Sequence, residues 1–175
     1  MKIRSGISLP ELLISLAIVA VLMTAVGASY SASASAIEIN ERMFRATQTA
    51  RIAMNRALHD LRNAEVVTVG TLAAQANSTV TDTFIDVINP DGSMVSYVYQ
   101  PADRIVYLVQ RDVEEEPQFV LARNVDSAVF TADVQPHPQT GHRRTVRVTI
   151  DLIIQIENQA VRLSGSATPR RAMVY

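Results

Sequence analysis

Glu11 is the first residue in this chain whose type and placement could do chemistry. Its carboxylate opens a run in which, from Leu12 to Ile37, the phenol of Tyr30 is the only ionisable group. A charge at the mouth of an apolar helix is costly in lipid and calls for a partner. Ser8-Leu9-Pro10-Glu11 also fits an S-x-x-E capping box, with Ser8 as N-cap and proline tolerated in the first turn. A negative side chain there suits the positive end of the helix dipole. The chemistry available to Glu11 is therefore electrostatic pairing rather than bond-making.

Other reactive residue types are few. His59 falls in a helical segment, and His137 and His142 fall in HPQTGH, where proline and glycine keep the pair off a common helix face. That loop has no carboxylate to complete a metal site, so a solvated loop is expected. Asp112-Val113-Glu114-Glu115-Glu116 offers the oxygen donors that calcium takes, but lacks the D-x-D/N-x-D/N-G spacing. A solvated acidic loop is again expected, and no cofactor. Asn77-Ser78-Thr79 has the glycosylation form and carries little weight. There are no cysteines, which excludes disulfides, thiol catalysis and cysteine-bound zinc. Hydrolase, zinc-protease, phosphate-loop and dinucleotide motifs are all missing, so no enzymatic activity is expected. A formal net charge of -1 gives no basic excess for nucleic acid.

The element that must position Glu11 is the run behind it. Lys2 and Arg4 precede it, and after Glu11 no charge follows until Glu38. A hydrocarbon core of ~30 Å takes about 20 helical residues, so the run is long enough to span one. The two cations on the short side predict an N-in, C-out orientation. A removable secretory signal is the competing reading, because Ala32-Ser33-Ala34 and Ala34-Ser35-Ala36 have the small-x-small form of a cleavage site. On that reading the product is a secreted, soluble, β-rich binding domain.

The order Gly6-Ile7-Ser8-Leu9-Pro10-Glu11-Leu12-Leu13 resembles the prepilin signal of type IV pilins and type II secretion pseudopilins. The resemblance implies cleavage after Gly6 by a membrane prepilin peptidase, leaving Ile7 as the new N-terminus and a candidate for N-methylation. The family usually has phenylalanine where Ile7 stands. Glu11 becomes the fifth mature residue, the position of the glutamate that in the family pairs with a neighbouring subunit's N-terminal amine.

Downstream, GASYSASASA from Gly27 to Ala36 lacks proline, and Ile37 to Glu65 lacks both glycine and proline while being rich in helix formers. One rod from Ser8 to Glu65 is expected. Met43, Ala46, Ala50, Met54, Ala57, Leu61 and Ala64 recur every three or four residues as a shallow apolar stripe, with Leu58 at its edge. That stripe suits packing on a β-sheet, with Arg42, Arg45, Arg56, Asp60 and Arg62 facing water. Beyond Val66 the period becomes two. Strands are expected over Val80–Ile88, Met94–Gln100, Ile105–Gln110, Phe119–Ala122, Val125–Val134, Val146–Ile156 and Val161–Gly165, with a turn at Asn89-Pro90-Asp91-Gly92.

IAMNRALHDLRNAEVV and the later segments VSYVY, RIVYLVQRD, ARNVDSAVF and RRTVRVTIDLII resemble J-type minor pseudopilins and W-type minor pilins. The expected fold class is therefore α+β and pilin-like: a long N-terminal helix, transmembrane in its first half, packed on an antiparallel β-sheet domain. The expected divisions are a leader at 1–6, a transmembrane and assembly helix at 7–36, its amphipathic continuation at 37–66, a β domain at 67–168 and a tail at 169–175. By resemblance, the chain is expected to be a minor subunit that initiates or caps a type IV pilus or type II secretion pseudopilus. Its partners would be other major and minor subunits, the prepilin peptidase and an inner-membrane assembly platform. The globular domain would be periplasmic.

Overall fold

The computed structural model describes residues 8–70, 78–136 and 143–170. Helix α1 runs over Leu9–Asn63, within two residues of the expected rod at either end. The Ser8 carbonyl accepts the Leu12 amide at 3.1 Å, which puts Ser8 at the N-cap by its backbone. At the other end Arg62 occupies the last turn, where a cation suits the dipole, and its carbonyl accepts the Arg170 amide at 3.1 Å. The chain divides into two compact units, Met1–Glu41 and Arg42–Tyr175, and the division falls within α1.

Among the described residues the second unit holds nine strands: β1 Val66–Val69, β2 Ser78–Asp82, β3 Phe84–Ile88, β4 Met94–Gln100, β5 Ile105–Gln110, β6 Gln118–Ala122, β7 Val125–Pro136, β8 Arg143–Ile156 and β9 Gln159–Ala167. Every pairing is antiparallel. They form two sheets, ordered β1-β3-β4-β5-β6 and β2-β7-β8-β9, against which the helix packs as the expected α+β class requires. The expected strand Val80–Ile88 is two strands that part company at Thr83. Asp82 Oδ1 accepts the Thr83 amide at 2.6 Å, so the backbone turns there, and β2 and β3 enter different sheets. At the β3–β4 turn, Gly92 adopts φ 84° and its amide reaches the Asn89 carbonyl at 3.0 Å, as the Asn-Pro-Asp-Gly signal implies. Asp91 accepts from the Ser93 amide and hydroxyl, which hold its carboxyl below the usual carboxylate range.

One hydrophobic cluster draws on the helix and on both sheets. From α1 it takes Met43, Ala50, Ala53, Ala57, Leu58 and Leu61, with Ala46 and Met54 packed at its margin. This is the expected stripe with Ala53 added. Ile85, Val87, Tyr97, Tyr99 and Leu108 come from the first sheet, and Phe130, Val148, Ile150, Leu152 and Ile154 from the second. The last four are alternate residues of β8, the half-buried period that the sequence displays. A helix surface of alanines permits close approach, and Gly165 on β9 completes it. A Cβ there would lie 2.8 Å from Leu58 Cδ1 and 3.3 Å from Met54 Sδ.

Asp60 departs from its expected place in water. It is half-buried and accepts the Tyr97 hydroxyl at 2.5 Å. Tyr97 is almost fully buried, and burial, reinforced by the Asp60 carboxylate, pushes its phenol well above the ordinary value of 10.0. Tyr99 donates to the carbonyls of Val125 and Asp126, tying β4 of the first sheet to β7 of the second.

Candidate functional site

Glu11 lies in the first turn of α1 and is exposed, as are Leu12, Leu13, Ile14, Leu16, Ile18, Val19, Val21, Leu22, Met23 and Val26. None of the most apolar 18-residue window is buried within the protein, and the helix is long and apolar enough to cross a membrane. Its polar side chains are suited to that surrounding. Ser15 donates to the Leu12 carbonyl at 2.9 Å, Thr24 to Val21 at 2.8 Å and Ser33 to Ser29 at 2.9 Å. Each hydroxyl is thus satisfied by its own helix and presents no unmet donor to an apolar medium. Glu11 has no such internal solution for its charge, because a carboxylate only accepts. Its needs are a donor or a cation from outside the apolar run.

Gly6 and Ile7, where cleavage and methylation are expected, lie outside the described residues, as do His137 and His142. His59 is exposed on α1, and its Nε2 meets Asn63 Nδ2 one turn on at 3.1 Å. The acidic run forms the connection between β5 and β6. It closes through Glu116 N to the Val113 carbonyl at 2.9 Å, with Glu116 at φ 42° and paired to Arg111 at 3.3 Å. Among the described residues no group of three or more histidine or carboxylate side chains is placed to hold a metal ion.

Two polar arrangements escape the sequence pattern. Ser96 is fully buried on β4, donates to Asp86 Oδ1 on β3 and accepts from Arg111 Nε at 2.9 Å. This joins β3, β4 and the acidic connection by charge-assisted bonds. The second is a cleft of about 710 Å³ whose lining includes Arg42 and Arg45 from α1, Arg104, Arg123 and Glu157. Its arginines come from separate stretches of chain, so no local motif announces them. The only sequence signal is that cations at 42 and 45 share a helix face, one turn apart.

Residues 1–27 match the family model of the prokaryotic N-terminal methylation motif. The match supports the type IV pilin and pseudopilin family and a precursor of that type, whose assembly with other pilin subunits and processing by a prepilin peptidase the motif implies. It ends within the apolar stretch, before the segments that resemble J-type and W-type subunits. The motif and the apolar helix together point to membrane anchoring. No curated protein and no solved structure matches the chain.

Proposed function

We propose that this chain is a minor pilin or pseudopilin, a non-enzymatic structural subunit that initiates or caps assembly of a type IV pilus or type II secretion pseudopilus. The observation that carries the reading is Glu11, exposed in the first turn of an unburied apolar helix and inside the matched methylation motif. Cleavage after Gly6 leaves Ile7 as the N-terminus and the site of N-methylation. The new amine of one subunit then pairs with Glu11 of its neighbour, and each removes a charge that the other would leave stranded in a low-dielectric setting. Before assembly the apolar run anchors the subunit in the bacterial inner membrane, with the N-terminus cytoplasmic and the β domain periplasmic. Within the fibre the same run packs against the helices of other major and minor subunits. The energy for extrusion comes from a separate ATPase on the cytoplasmic side of the assembly platform.

Determining the N-terminus and terminal mass of the mature protein tests this. The expected product begins at Ile7 and is a methyl group heavier than the unmodified chain. A product beginning near Ser35 or Ile37 overturns the reading in favour of ordinary signal peptidase and a secreted binding domain.

A further inference from the structure

The arginine-lined cleft and the acidic connection occupy opposite ends of the same strand, β6, which is the outer strand of the five-stranded sheet. At one end Asp112, Glu114 and Glu115 are exposed around Val113, itself 44% exposed. At the other, four arginines and one carboxylate, Glu157, surround a floor that includes Ala46, Val120 and Ile156. Arg42 and Arg45 have interactions of their own, and Arg104 is shared with Asp126 and the Gln155 carbonyl, both at 3.4 Å. A guanidinium carries five N–H donors, so a shared arginine retains capacity for another carboxylate. Arg123 is exposed and has no ion-pair partner among the described residues.

We propose that the cleft receives the acidic β5–β6 hairpin of a second copy of this chain. Val113 settles on the apolar floor while Asp112, Glu114 and Glu115 meet the arginine rim. Charge complementarity selects this occupant. The chain's net charge of -1 offers little general repulsion between copies, whereas its segregated charges attract at complementary ends. One copy cannot satisfy itself, because the hairpin precedes β6 and Arg123 follows it, and the five residues of the strand span roughly 15 Å between them. The contact is heterologous: the hairpin of one copy meets the cleft of the other, rather than the same patch on both. The inference goes beyond the subunit reading, and neither its residues nor its chemistry involve Gly6, Ile7 or Glu11.

The chain has no cysteines, so introduced thiols report without background. Two differently tagged full-length copies, one Glu115→Cys and the other Arg123→Cys, are co-expressed in one membrane and oxidised. Disulfides need Cα atoms within about 7 Å, so a bond between these sites forms only between copies. The mixed pair is expected to cross-link several-fold more than either same-site pair. With Glu114→Cys and Asn124→Cys as reporters, Arg123→Glu in both copies lowers the yield about tenfold, and adding Glu115→Arg restores it. Yield also falls as salt rises. Equal yields for mixed and same-site pairs, indifference to Arg123→Glu, or failure of Glu115→Arg to rescue overturns the proposal. So does capture of a different protein by Arg123→Cys, or a requirement for anionic phospholipid that Glu115→Arg leaves unchanged. An N-terminus other than Ile7 sinks the subunit reading alone, because the mixed cross-link does not depend on it.

Discussion

Between Leu9 and Glu41, α1 holds leucine, isoleucine and valine in the open, whereas between Met43 and Leu61 the same helix conceals three alanines with Met43, Leu58 and Leu61. Both stretches belong to one continuous helix, so secondary structure does not separate them. What separates them is the source of their neighbours. In the second stretch two sheets supply the apolar contact, and small side chains are enough because Gly165 and the strand surface come close. In the first stretch the protein supplies no cover, and the side chains are as large as an external apolar medium would demand. Helix hydroxyls do not share the contrast: those of Ser15, Thr24 and Ser33 fold back on the helix, and so does that of Thr49 in the second stretch, while the hydroxyls of Tyr97 and Tyr99 on β4 bond across to other elements.

The contrast is sharpest in side-chain truncation. Leu61 is fully buried, so Leu61→Ala should lower the stability of the β-rich unit by about 2–5 kcal/mol, read by denaturant unfolding of the full-length protein in detergent. Leu16→Ala, at a position 65% exposed, should change the same transition by less than about 0.5 kcal/mol. Comparable losses at the two positions would break the comparison.

A smaller effect is expected at the buried phenol. Tyr97→Phe removes a hydrogen bond to a carboxylate and should cost about 1–3 kcal/mol near neutral pH. Because burial and Asp60 raise the folded value above 10.0, the native state holds this proton more tightly than the unfolded chain does. The associated stability is fully present below pH 10 and declines as pH rises toward the folded value. Tyr97→Phe should therefore flatten the alkaline limb of a stability–pH profile, to which Tyr99 contributes in the same direction. An unchanged limb would assign the alkaline loss to other groups.

Glu11→Ala should have the least effect on unfolding, under about 1 kcal/mol as a first-turn charge. Membrane insertion should persist while recovery in fibres or cross-linked subunit complexes falls. Unchanged incorporation would leave Glu11 with its helix-end role alone.

The helix was legible because its signals are local: an S-x-x-E start, an uninterrupted run of helix formers and an alanine stripe. The strands at Met94–Gln100 and Ile105–Gln110 were legible for the same reason, with a turn or short polar connection on either side. The division of Val80–Ile88 was not. Alternation continues through Thr83, and only the choice of partners, β7 for β2 and β4 for β3, makes the break visible. Asp60 was misplaced because the helical period names a face without naming what lies opposite, here a tyrosine hydroxyl. The arginine cleft was invisible for a related reason, since its cations become neighbours only when the β4–β5 connection and the β6–β7 turn converge on α1. Glu11 and the apolar run stand together in one helix, and the signals that define them lie within a few turns.

The interleaving of β2 has a consequence for the order of events as the chain emerges during synthesis. The strands on either side of it, β1 and β3, pair with each other, while β2 waits for β7, whose residues follow about fifty positions later. The first sheet can assemble from consecutive hairpins once β1 and β3 meet, but the second cannot begin at β2 until Val125–Pro136 has appeared. A chain halted before that point carries an unpaired strand and an uncovered first sheet, the form most open to proteases and to wrong partners. Closure of β2 on β7 is therefore the long-range step that opens the second sheet, which β8 and β9 then extend.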